Sequence, residues 1–496
     1  MSSKRYILAI DQGTSSTKTL IFDEKGIAIA KGSEPLHTSY LDNGFVEQDA
    51  EDIYQNVLLS IEKCLKQFKE KEFDASNIAA IGISNQRETF VTWNKNGKPL
   101  HPAVVWQCKR SVPVCENLKQ KGLSNTVNAK TGLVIDPYFS ATKLVWLYQN
   151  HPAIKTTIDK GEAFFGTIDT WLLYKLTNGK IYATDYTNAS RTMFFNLHTL
   201  QWDKELIEQF GLTGINLPEL KPSSSLFGET TVNNILPVST PLTALIGDSH
   251  AAAFGEGCFE KGAAKATLGT GCSILMNIGG KPVTSANGMV TTICWSTEHR
   301  VDYALEGVIV SCGATIEWLK NEMNLFSDSK ETELMANSIA DNGGVYLIPA
   351  FSGLGSPHWQ MDRRASISGM TFGTTKKHIV RAALESIPYQ IADIIAAMEK
   401  DADLTLQQLM VDGGITSNGF VIQFLADLLN KTVATIGMPD VSALGAAYLA
   451  GLKIGVYESI DKLKELNQEK ACYQPTNKRE IIITGYTGWQ KTINAK

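Results

Sequence analysis

Three short glycine turns, spread across the 496 residues of the chain, carry groups that could hold phosphate. They are Asp11-Gln12-Gly13-Thr14, Gly269-Thr270-Gly271 and Asp412-Gly413-Gly414, and each follows an apolar run that is typical of a strand. A strand that ends in a Gly-Thr turn directs free backbone N–H groups and a hydroxyl at one spot, which is how a chain cradles phosphate. Because two similar turns lie about half a chain apart, we expect a duplicated nucleotide-binding unit closed around one cleft.

The turn at Asp11 offers the most varied chemistry. The acid is followed by Thr14, Ser15 and Lys18, so a ligand for a hydrated metal, phosphate donors and a cation lie within eight residues. The alternative is a plain hairpin with solvated hydroxyls. The combination with Gly269-Thr270-Gly271 favours phosphate.

Asp248 is open to a chemical and a structural interpretation. It lies between an apolar run, Leu242 to Ile246, and the alanines Ala251 to Ala253, where a strand would give way to a helix. A carboxylate there faces a cleft and could accept a hydroxyl proton. From its position alone, an N-cap aspartate is the better interpretation.

The turn at Gly413 is similarly ambiguous. Gly413 and Gly414, followed by Ile415 and Asn418, could lay a flat backbone against an adenine ring. The alternative is a strand-to-helix turn in which Thr416 or Ser417 serves as the N-cap.

Two related series of elements must position these residues. The first is predicted as strands at Tyr6–Ile10, Lys18–Phe22 and Ile27–Ala30, a helix from about Ala50 with Asp49 as its N-cap, and a strand at Ile78–Ser84. The second is predicted as strands at Lys265–Leu268 and Ser273–Ile278, a long helix near His378 to Lys400, and a strand that ends at Asp412. The parallel favours a diverged duplication. Pro388 is expected to kink the long helix or to end its first half.

Composition narrows the class of protein. A chain of 496 residues is too long for one hydrophobic core, so two large domains are expected. A net charge of −5 gives no basic footprint for nucleic acid, and no apolar stretch is long enough to predict a membrane span. Eight scattered cysteines without a Cys-x-x-Cys pair, and the lack of a predicted signal peptide, indicate a reduced, cytoplasmic protein. The phosphate-binding motifs Gly-x-x-x-x-Gly-Lys-Ser/Thr and Gly-x-Gly-x-x-Gly do not occur.

Longer segments carry a family resemblance. They are Tyr138–Asn150, Ala365–Met370 with His378–Glu385, Asn85–Thr89, Val105–Cys108, Thr131–Asp136, Asp185–Arg191, Ala350–Gly355 and Ala443–Leu449. With these segments the chain resembles the FGGY carbohydrate kinases over essentially its whole length, and it is most similar to the glycerol-phosphorylating branch. The resemblance implies an α/β fold of two actin-like (ribonuclease-H-like) ATPase domains around a central cleft. The expected domains are 1–253, with the polyol substrate and the Mg²⁺/phosphate turn, and 254–496, with the adenosine of ATP.

The resemblance also implies roles for individual residues. Asp248 matches the catalytic base, and Asp11 with Asp248 matches the Mg²⁺ side of the site. The implied ATP contacts are Thr14, Ser15, Lys18, Gly269, Thr270, Gly313, Glu317, Gly414, Ile415 and Asn418. The implied polyol contacts are Arg87, Glu88, Trp106, Tyr138, Asp248, Ser249 and Ser273. A homodimer or homotetramer is expected from the same resemblance.

Three positions depart from the branch pattern. Ser249 and Ser273 replace larger residues on the substrate side, and Glu317 stands where Gln is usual. The pocket is therefore open to a longer polyol or sugar, such as erythritol, threitol, a pentitol or a ketose, while waters that fill the space would leave glycerol as the substrate. A non-catalytic nucleotide-binding sensor is a more remote alternative, against which Asp11, Arg87 and Asp248 argue together.

Overall fold

The computed structural model describes residues 5–360, 362–466, 471–477 and 479–495. The strands in this part of the chain are β1 (Tyr6–Gln12), β2 (Ser16–Phe22), β3 (Ala28–Pro35), β4 (Ser39–Tyr40), β5 (Val46–Gln48), β6 (Ile78–Asn85), β7 (Phe90–Asn94), β8 (Ala103–Val104), β9 (Ala163–Thr167), β10 (Ala183–Asp185), β11 (Phe195–Asn196), β12 (Gln201–Trp202), β13 (Glu219–Lys221), β14 (Ser224–Thr230), β15 (Thr240–Gly247), β16 (Ala263–Leu268), β17 (Cys272–Gly279), β18 (Val290–Thr297), β19 (Arg300–Ile309), β20 (Tyr346–Ile348), β21 (Ser366–Ser368), β22 (Gln408–Asp412), β23 (Val433–Thr435) and β24 (Ala471–Tyr473).

The α-helices of the described residues alternate with these strands. They are α1 (Ala50–Glu70), α2 (Val112–Gln120), α3 (Ser124–Thr131), α4 (Ser140–Asn150), α5 (Pro152–Asp159), α6 (Ile168–Leu176), α7 (Tyr186–Ala189), α8 (Lys204–Gln209), α9 (Asp248–Gly255), α10 (Gly313–Asn321), α11 (Glu331–Asn337), α12 (Lys376–Ala402), α13 (Gly419–Leu429), α14 (Val441–Lys453), α15 (Ile460–Leu466) and α16 (Arg479–Asn494). None of the helices in the described ranges is both long and apolar enough to cross a membrane.

A 13-stranded mixed sheet organises the molecule, in the order β3-β2-β1-β6-β15-β14-β18-β19-β17-β16-β22-β23-β24. At one end, β1 pairs antiparallel with β2 and β2 with β3, while β6 is parallel to β1 and β15 is parallel to β6. At the other end, β16 pairs antiparallel with β17 and β17 with β19, while β22 is parallel to β16 and β23 is parallel to β22. This repeated order is the one expected from the two glycine turns. We call β1, β2, β3, β6 and β15 the first sheet unit, and β16, β17, β19, β22 and β23 the second sheet unit.

Helix α1 shows how the sequence builds one layer over the first unit. Asp49 caps it, because its side chain accepts hydrogen bonds from the backbone N–H groups of Glu51 and Asp52. Its apolar side chains recur every three or four residues and are buried. The helix crosses β3 at Gly32, where a Cβ would lie only 2.1 Å from the carbonyl oxygen of Ser60. The predicted helix and its cap are both confirmed.

Helices α9 and α14 connect the two units. They cross at two glycines, since a Cβ on Gly445 would lie 1.8 Å from the Ala251 carbonyl oxygen and one on Gly255 would lie 2.5 Å from the Val441 carbonyl oxygen. Helix α14 follows the second unit in sequence, yet it packs on β6, β1 and β15 of the first. The units are therefore packed directly against each other.

Strand β3 extends further than expected, and of the two outcomes expected at Pro388, a kink or an end of the first half of the helix, the second does not occur. Strand β3 begins at Ala28 and continues to Pro35, because its exposed polar residues alternate with buried ones as a strand on one covered face requires. Helix α12 continues through Pro388 to Ala402 instead of ending in its first half. Most of its residues are buried, and this burial offsets the backbone hydrogen bond that proline cannot donate.

Candidate active site

Three parallel strands of the first unit end at one edge of the sheet and bring Asp11, Arg87 and Asp248 together. Asp11 is the register partner of Ser84 in β6, Arg87 follows the end of β6, and Asp248 directly follows β15. The carboxyl ends of parallel strands form the crevice in which open α/β sheets bind ligands. The sequence predicted all three residues as parts of one site.

Arg87 joins the predicted base to a second carboxylate. Its Nε lies 3.2 Å from Oδ1 of Asp248, and its Nη1 lies 2.8 Å from Oε1 of Glu306. Gly247 makes room for this arrangement, because a Cβ there would lie 2.7 Å from Cγ of Arg87. Asp248 is the first residue of α9, and the N-cap position belongs to Gly247. The N-cap interpretation of Asp248 is therefore wrong.

Glu306 and Arg191 belong to the same buried network. Arg191 Nη1 lies 2.6 Å from Oε2 of Glu306, and Arg191 Nε lies 2.6 Å from Oε1 of Glu88. Burial alone would raise the pKa of Glu306, but the guanidiniums of Arg191 and Arg87 hold it well below its ordinary value. Burial raises the pKa of Glu88, against the opposing effect of Arg191.

The sequence did not predict Glu306 or Arg191 as site residues. Arg191 was inside a recognised segment but had no assigned role. The signal for Glu306 is a single carboxylate in the apolar run from Tyr303 to Ile309, which a buried strand tolerates only when the charge is paired.

An aromatic wall stands next to the hairpin turn of the first unit. Trp106 Nε1 donates a hydrogen bond of 3.0 Å to Oγ1 of Thr14, and the Trp106 ring meets that of Tyr138 edge-on at 5.5 Å. Lys143 Nζ donates hydrogen bonds to the carbonyl oxygens of Pro137 and Tyr138 and so fixes the backbone that carries the Tyr138 ring. Burial lowers the pKa of Lys143 to about 8. The hairpin turn at Thr14 and the two aromatic rings are therefore held together by direct contacts.

Ser249 and Ser273 face each other across the boundary between the two units. Their hydroxyl oxygens lie 3.2 Å apart, and Ser273 Oγ donates a hydrogen bond of 3.2 Å to Oε1 of Glu306. Behind them His250 is fully buried, and burial together with the charge of Arg87 holds its pKa well below the ordinary value. The imidazole is therefore neutral at physiological pH.

The carboxylates of Asp11 and Asp248 suit a divalent cation. Asp11 Oδ1 accepts a hydrogen bond of 3.0 Å from Ser84 Oγ. Burial and the nearby Asp248 carboxylate raise the pKa of Asp11 to about 6. Two carboxylates that repel each other are stabilised by a bound cation, and Mg²⁺ takes one or two carboxylates together with substrate phosphates. These residues therefore fit the predicted Mg²⁺.

Lys18 has a partner that the sequence did not predict. Its Nζ lies 3.0 Å from Oδ1 of Asp440, which precedes α14, and Lys31 Nζ lies 2.6 Å from the other oxygen. Asp440 also acts on Asp11 by raising its pKa, a smaller effect than that of burial. Ser15, next to the predicted phosphate donor Thr14, is exposed to solvent.

The residues of the second unit that are predicted to bind the nucleotide contact one another through the backbone of Gly269, Thr270 and Gly313. The Gly269 carbonyl accepts a hydrogen bond from the N–H of Gly313, and the Thr270 carbonyl accepts one from Ala314. A Cβ on Gly313 would lie 2.7 Å from the Gly269 oxygen and 3.5 Å from Cδ1 of Ile415. The result is a bare backbone surface at the start of α10.

The turn after β22 completes this surface. Gly413 has a φ of 91°, and a Cβ there would lie 2.5 Å from the Leu268 carbonyl oxygen, whereas a Cβ on Gly414 would meet nothing within 4 Å. Asn418 caps α13 by accepting from Val421 N–H, so the caps considered at Thr416 and Ser417 were wrong. Glu317, one turn into α10, accepts a hydrogen bond from Ser329 Oγ.

Comparison with known families and proteins gives matches along most of the chain. Residues 6–255 match the N-terminal domain, and residues 264–454 the C-terminal domain, of the FGGY family of carbohydrate kinases. A glycerol kinase of Treponema denticola is 45% identical over 491 residues, covering 99% of this chain and 98% of the relative. Glycerol kinase 2 of Thermotoga maritima is 44% identical with the same coverage.

Solved structures match this chain over the same length at lower sequence identity. The Plasmodium falciparum glycerol kinase with ADP superposes with a TM-score of 0.93 at 37% identity, covering 99% of this chain and 98% of that one. A xylulose kinase of Lactobacillus acidophilus superposes with a TM-score of 0.89 at 21% identity over 99% of each chain, which is a likeness of fold alone.

Proposed function

This chain belongs to the FGGY family of carbohydrate kinases, and we propose that it transfers the γ-phosphoryl group of ATP to a terminal hydroxyl of glycerol, giving sn-glycerol 3-phosphate. The observation that carries the proposal is the pairing of Asp248 with Arg87, 3.2 Å apart, at the edge that also holds Asp11. The choice of glycerol is supported by relatives of 44–45% identity named glycerol kinase.

In the proposed reaction Asp248 orients the attacking hydroxyl and accepts its proton. Arg87 and Glu88 bind the polyol hydroxyls, and the rings of Trp106 and Tyr138 pack against its carbons, as polyol recognition requires. Asp11 and Asp248 would hold Mg²⁺, which supplies charge neutralisation at the phosphates when it is bound. Phosphoryl transfer depends mainly on such positioning and charge compensation.

The second unit would bind the nucleotide. We place Gly269, Thr270 and Gly313 next to the phosphates, where the two glycines let the ligand approach the backbone closely, and the open side of Gly414 leaves room for the adenosine. Ile415 would pack against the base. We therefore propose the same domains that the sequence predicted, 1–253 for the polyol and Mg²⁺ and 254–496 for the nucleotide.

A longer polyol or a sugar is a second candidate substrate. The specific observation is the pair of hydroxyls on Ser249 and Ser273, 3.2 Å apart, next to the Arg87–Glu306 ion pair. A three-carbon substrate that makes no hydrogen bond to these hydroxyls would bind more weakly, by about 1–3 kcal/mol, than a substrate that does. An additional substrate hydroxyl could supply this hydrogen bond.

Coupled ADP release from the purified protein tests both candidates. With MgATP, kcat/KM is compared for glycerol, erythritol, threitol, xylitol and five-carbon ketoses, and ATP without a polyol gives the background. Glycerol as the best substrate supports the proposed function. A clear preference for a longer polyol assigns Ser249 and Ser273 to specificity, and turnover at background with every compound overturns the kinase proposal.

We also propose that the enzyme works in the cytoplasm as a homodimer or homotetramer. All eight cysteines fall in the described part of the chain as free thiols, and only Cys472 is exposed. Free thiols suit a reducing compartment. Size-exclusion chromatography with light scattering measures the subunit number.

A further inference from the structure

Glu306 lies on β19 of the second unit, and its carboxylate contacts Arg87 and Arg191. Both arginines belong to residues 1–253, the part of the chain that supplies most of the predicted polyol residues. The side chain of Glu306 is completely buried. Oε1 lies 2.8 Å from Nη1 of Arg87, and Oε2 lies 2.6 Å from Nη1 of Arg191. Arg191 in turn lies 2.6 Å from Glu88. Both charged residues proposed to bind the polyol, Arg87 and Glu88, are therefore connected through Glu306.

The direction of Glu306 follows from the strand that carries it. Side chains alternate between the two faces of a strand. A Cβ on the next residue, Gly307, would lie 2.6 Å from Ile394 of α12, so that face of β19 is covered by the helix. Glu306 is directed to the opposite face, where Ser273, its diagonal neighbour on β17, donates to it. The strand register thus points the carboxylate at the first unit.

The charges along this network alternate in sign. Asp248, Arg87, Glu306, Arg191 and Glu88 form four successive contacts between acid and base. Glu306 is the central member, and it is the one that compensates both guanidiniums at once. A buried guanidinium without such compensation would turn toward another acceptor or toward water. Arg87 would then no longer be fixed between Glu306 and Asp248.

We propose that Glu306 is a positioning residue, which fixes Arg87 directly and Glu88 through Arg191 in the geometry that binds the polyol. The inference rests on the proposed function, because it assumes that Arg87 and Glu88 bind substrate hydroxyls. It makes the polyol site depend on a side chain of the second sheet unit that touches no substrate. Loss of Glu306 should therefore weaken polyol binding selectively, and leave the nucleotide surface of Gly269, Gly313 and Gly414 intact.

The test is Glu306→Gln, an isosteric change that removes the charge. We expect the KM for glycerol, or for the best polyol found, to rise at least about tenfold while the KM for MgATP stays within about twofold. Asp302→Asn is the matched control. Asp302 is buried in the same strand and pairs at 2.8 Å with Arg300, whose side chain is partly exposed, so the variant reports the loss of a paired carboxylate charge away from the site. Its two KM values should both stay within about twofold of wild type.

Glu306→Asp keeps the test decisive if the glutamine variant does not fold. Aspartate retains the charge, but it is one methylene shorter and cannot reach both arginines. We expect a glycerol KM about three- to tenfold above wild type with an unchanged KM for MgATP. An unchanged glycerol KM in both variants, or equal rises in the two KM values, would overturn the role of Glu306. Wild-type protein without activity on any polyol would instead overturn the proposed function.

Discussion

The two sheet units share one strand order but present different chemistry where their strands end. In the first unit, the ends of β1, β6 and β15 gather the charged side chains Asp11, Arg87 and Asp248. In the second unit, the corresponding edge is lined by bare backbone at Gly269 and Gly313. The two units thus share a strand order, and in the proposed function the side chains at these edges decide which unit carries out phosphoryl transfer and which binds the nucleotide.

One contact shows how the two units differ. In the first, Ser84 Oγ of β6 donates to Asp11 of β1, and in the second, Thr267 Oγ1 of β16 donates to Asp412 of β22. Both pairs are register partners in the equivalent parallel strand pair. The carboxylate is on the hairpin strand β1 in the first unit, and on the parallel strand β22 in the second. The charge therefore leads into the hairpin turn in the first unit and into the Gly413 turn in the second.

The largest effect should come from the proposed base in the first unit. Asp248→Asn preserves the size of the side chain and an oxygen for Arg87, but an amide cannot accept the hydroxyl proton. We expect kcat to fall about 10³-fold while ATP still binds. Single-turnover kinetics and calorimetric ATP titration measure the two quantities. Near-normal turnover in this variant would exclude Asp248 as the base.

The carboxylates of Asp11 and Asp412 give a matched pair of variants, whose effect should be smaller than that of Asp248→Asn. Asp11→Asn keeps the acceptor for Ser84 but removes a charge from the proposed Mg²⁺ side, so we expect kcat/KM to fall about 10²-fold and the Mg²⁺ requirement to rise. Asp412→Asn removes the equivalent charge from the second unit, and we expect at most about a fivefold change, confined to the KM for ATP. Steady-state kinetics over a Mg²⁺ series compares them. Equal losses in both variants would contradict the division of tasks between the units.

The bare backbone of the second unit can be altered by single methyl groups. At Gly413 a methyl group requires an unfavourable φ and overlaps the Leu268 carbonyl, so Gly413→Ala should raise the KM for ATP about tenfold with little change in the KM for polyol. Gly414→Ala fits the folded protein without steric conflict, because nothing lies within 4 Å of its Cβ, and its methyl group enters only the space proposed for the adenosine. The KM for ATP should therefore rise in this variant as well, with an unchanged stability of the protein, and an unchanged KM for ATP in both variants would contradict the proposed nucleotide surface.

The features that the sequence predicted are local ones. The hairpin turns, the strand ends and α1 follow from apolar periodicity and capping within about 20 residues, so they depend only on residues that are close in the sequence. The positions of Asp11 and Asp248 followed because a polar residue directly after an apolar strand lies at the sheet edge. The family resemblance, in turn, supplied the roles expected for these residues.

The features that were missed depend on distant partners. Lys18 pairs with Asp440, 422 residues away, and Arg87 pairs with Glu306, 219 residues away. Periodicity carries no information about which charges meet when the two units pack. The continuation of α12 through Pro388 was not decided by the sequence for a related reason, since the burial that stabilises α12 comes from other elements and is not visible in the helix sequence itself.

The smallest expected effect concerns the stability of the first domain. Asp169 is fully buried and accepts hydrogen bonds of 2.6 Å from the hydroxyls of Thr167 and Thr184. Burial and the nearby Asp185 raise its pKa to about 7. A carboxyl group whose pKa is higher in the folded protein binds its proton more tightly there, so its contribution to stability is present at low pH and is lost as the pH rises toward 7.

Between pH 4 and 7 Asp169 should therefore lower the stability of the wild-type protein, so that Asp169→Asn loses about 1–2 kcal/mol less than wild type over this interval. Denaturant unfolding at several pH values measures the slope. Asp159→Asn is the control, because hydrogen bonds from Lys155 and Tyr148 hold the pKa of that exposed carboxyl below its ordinary value, outside this interval. Identical slopes in wild type and Asp169→Asn would mean that Asp169 stays ionised when buried, and that the hydrogen bonds from Thr167 and Thr184 are sufficient to stabilise its charge.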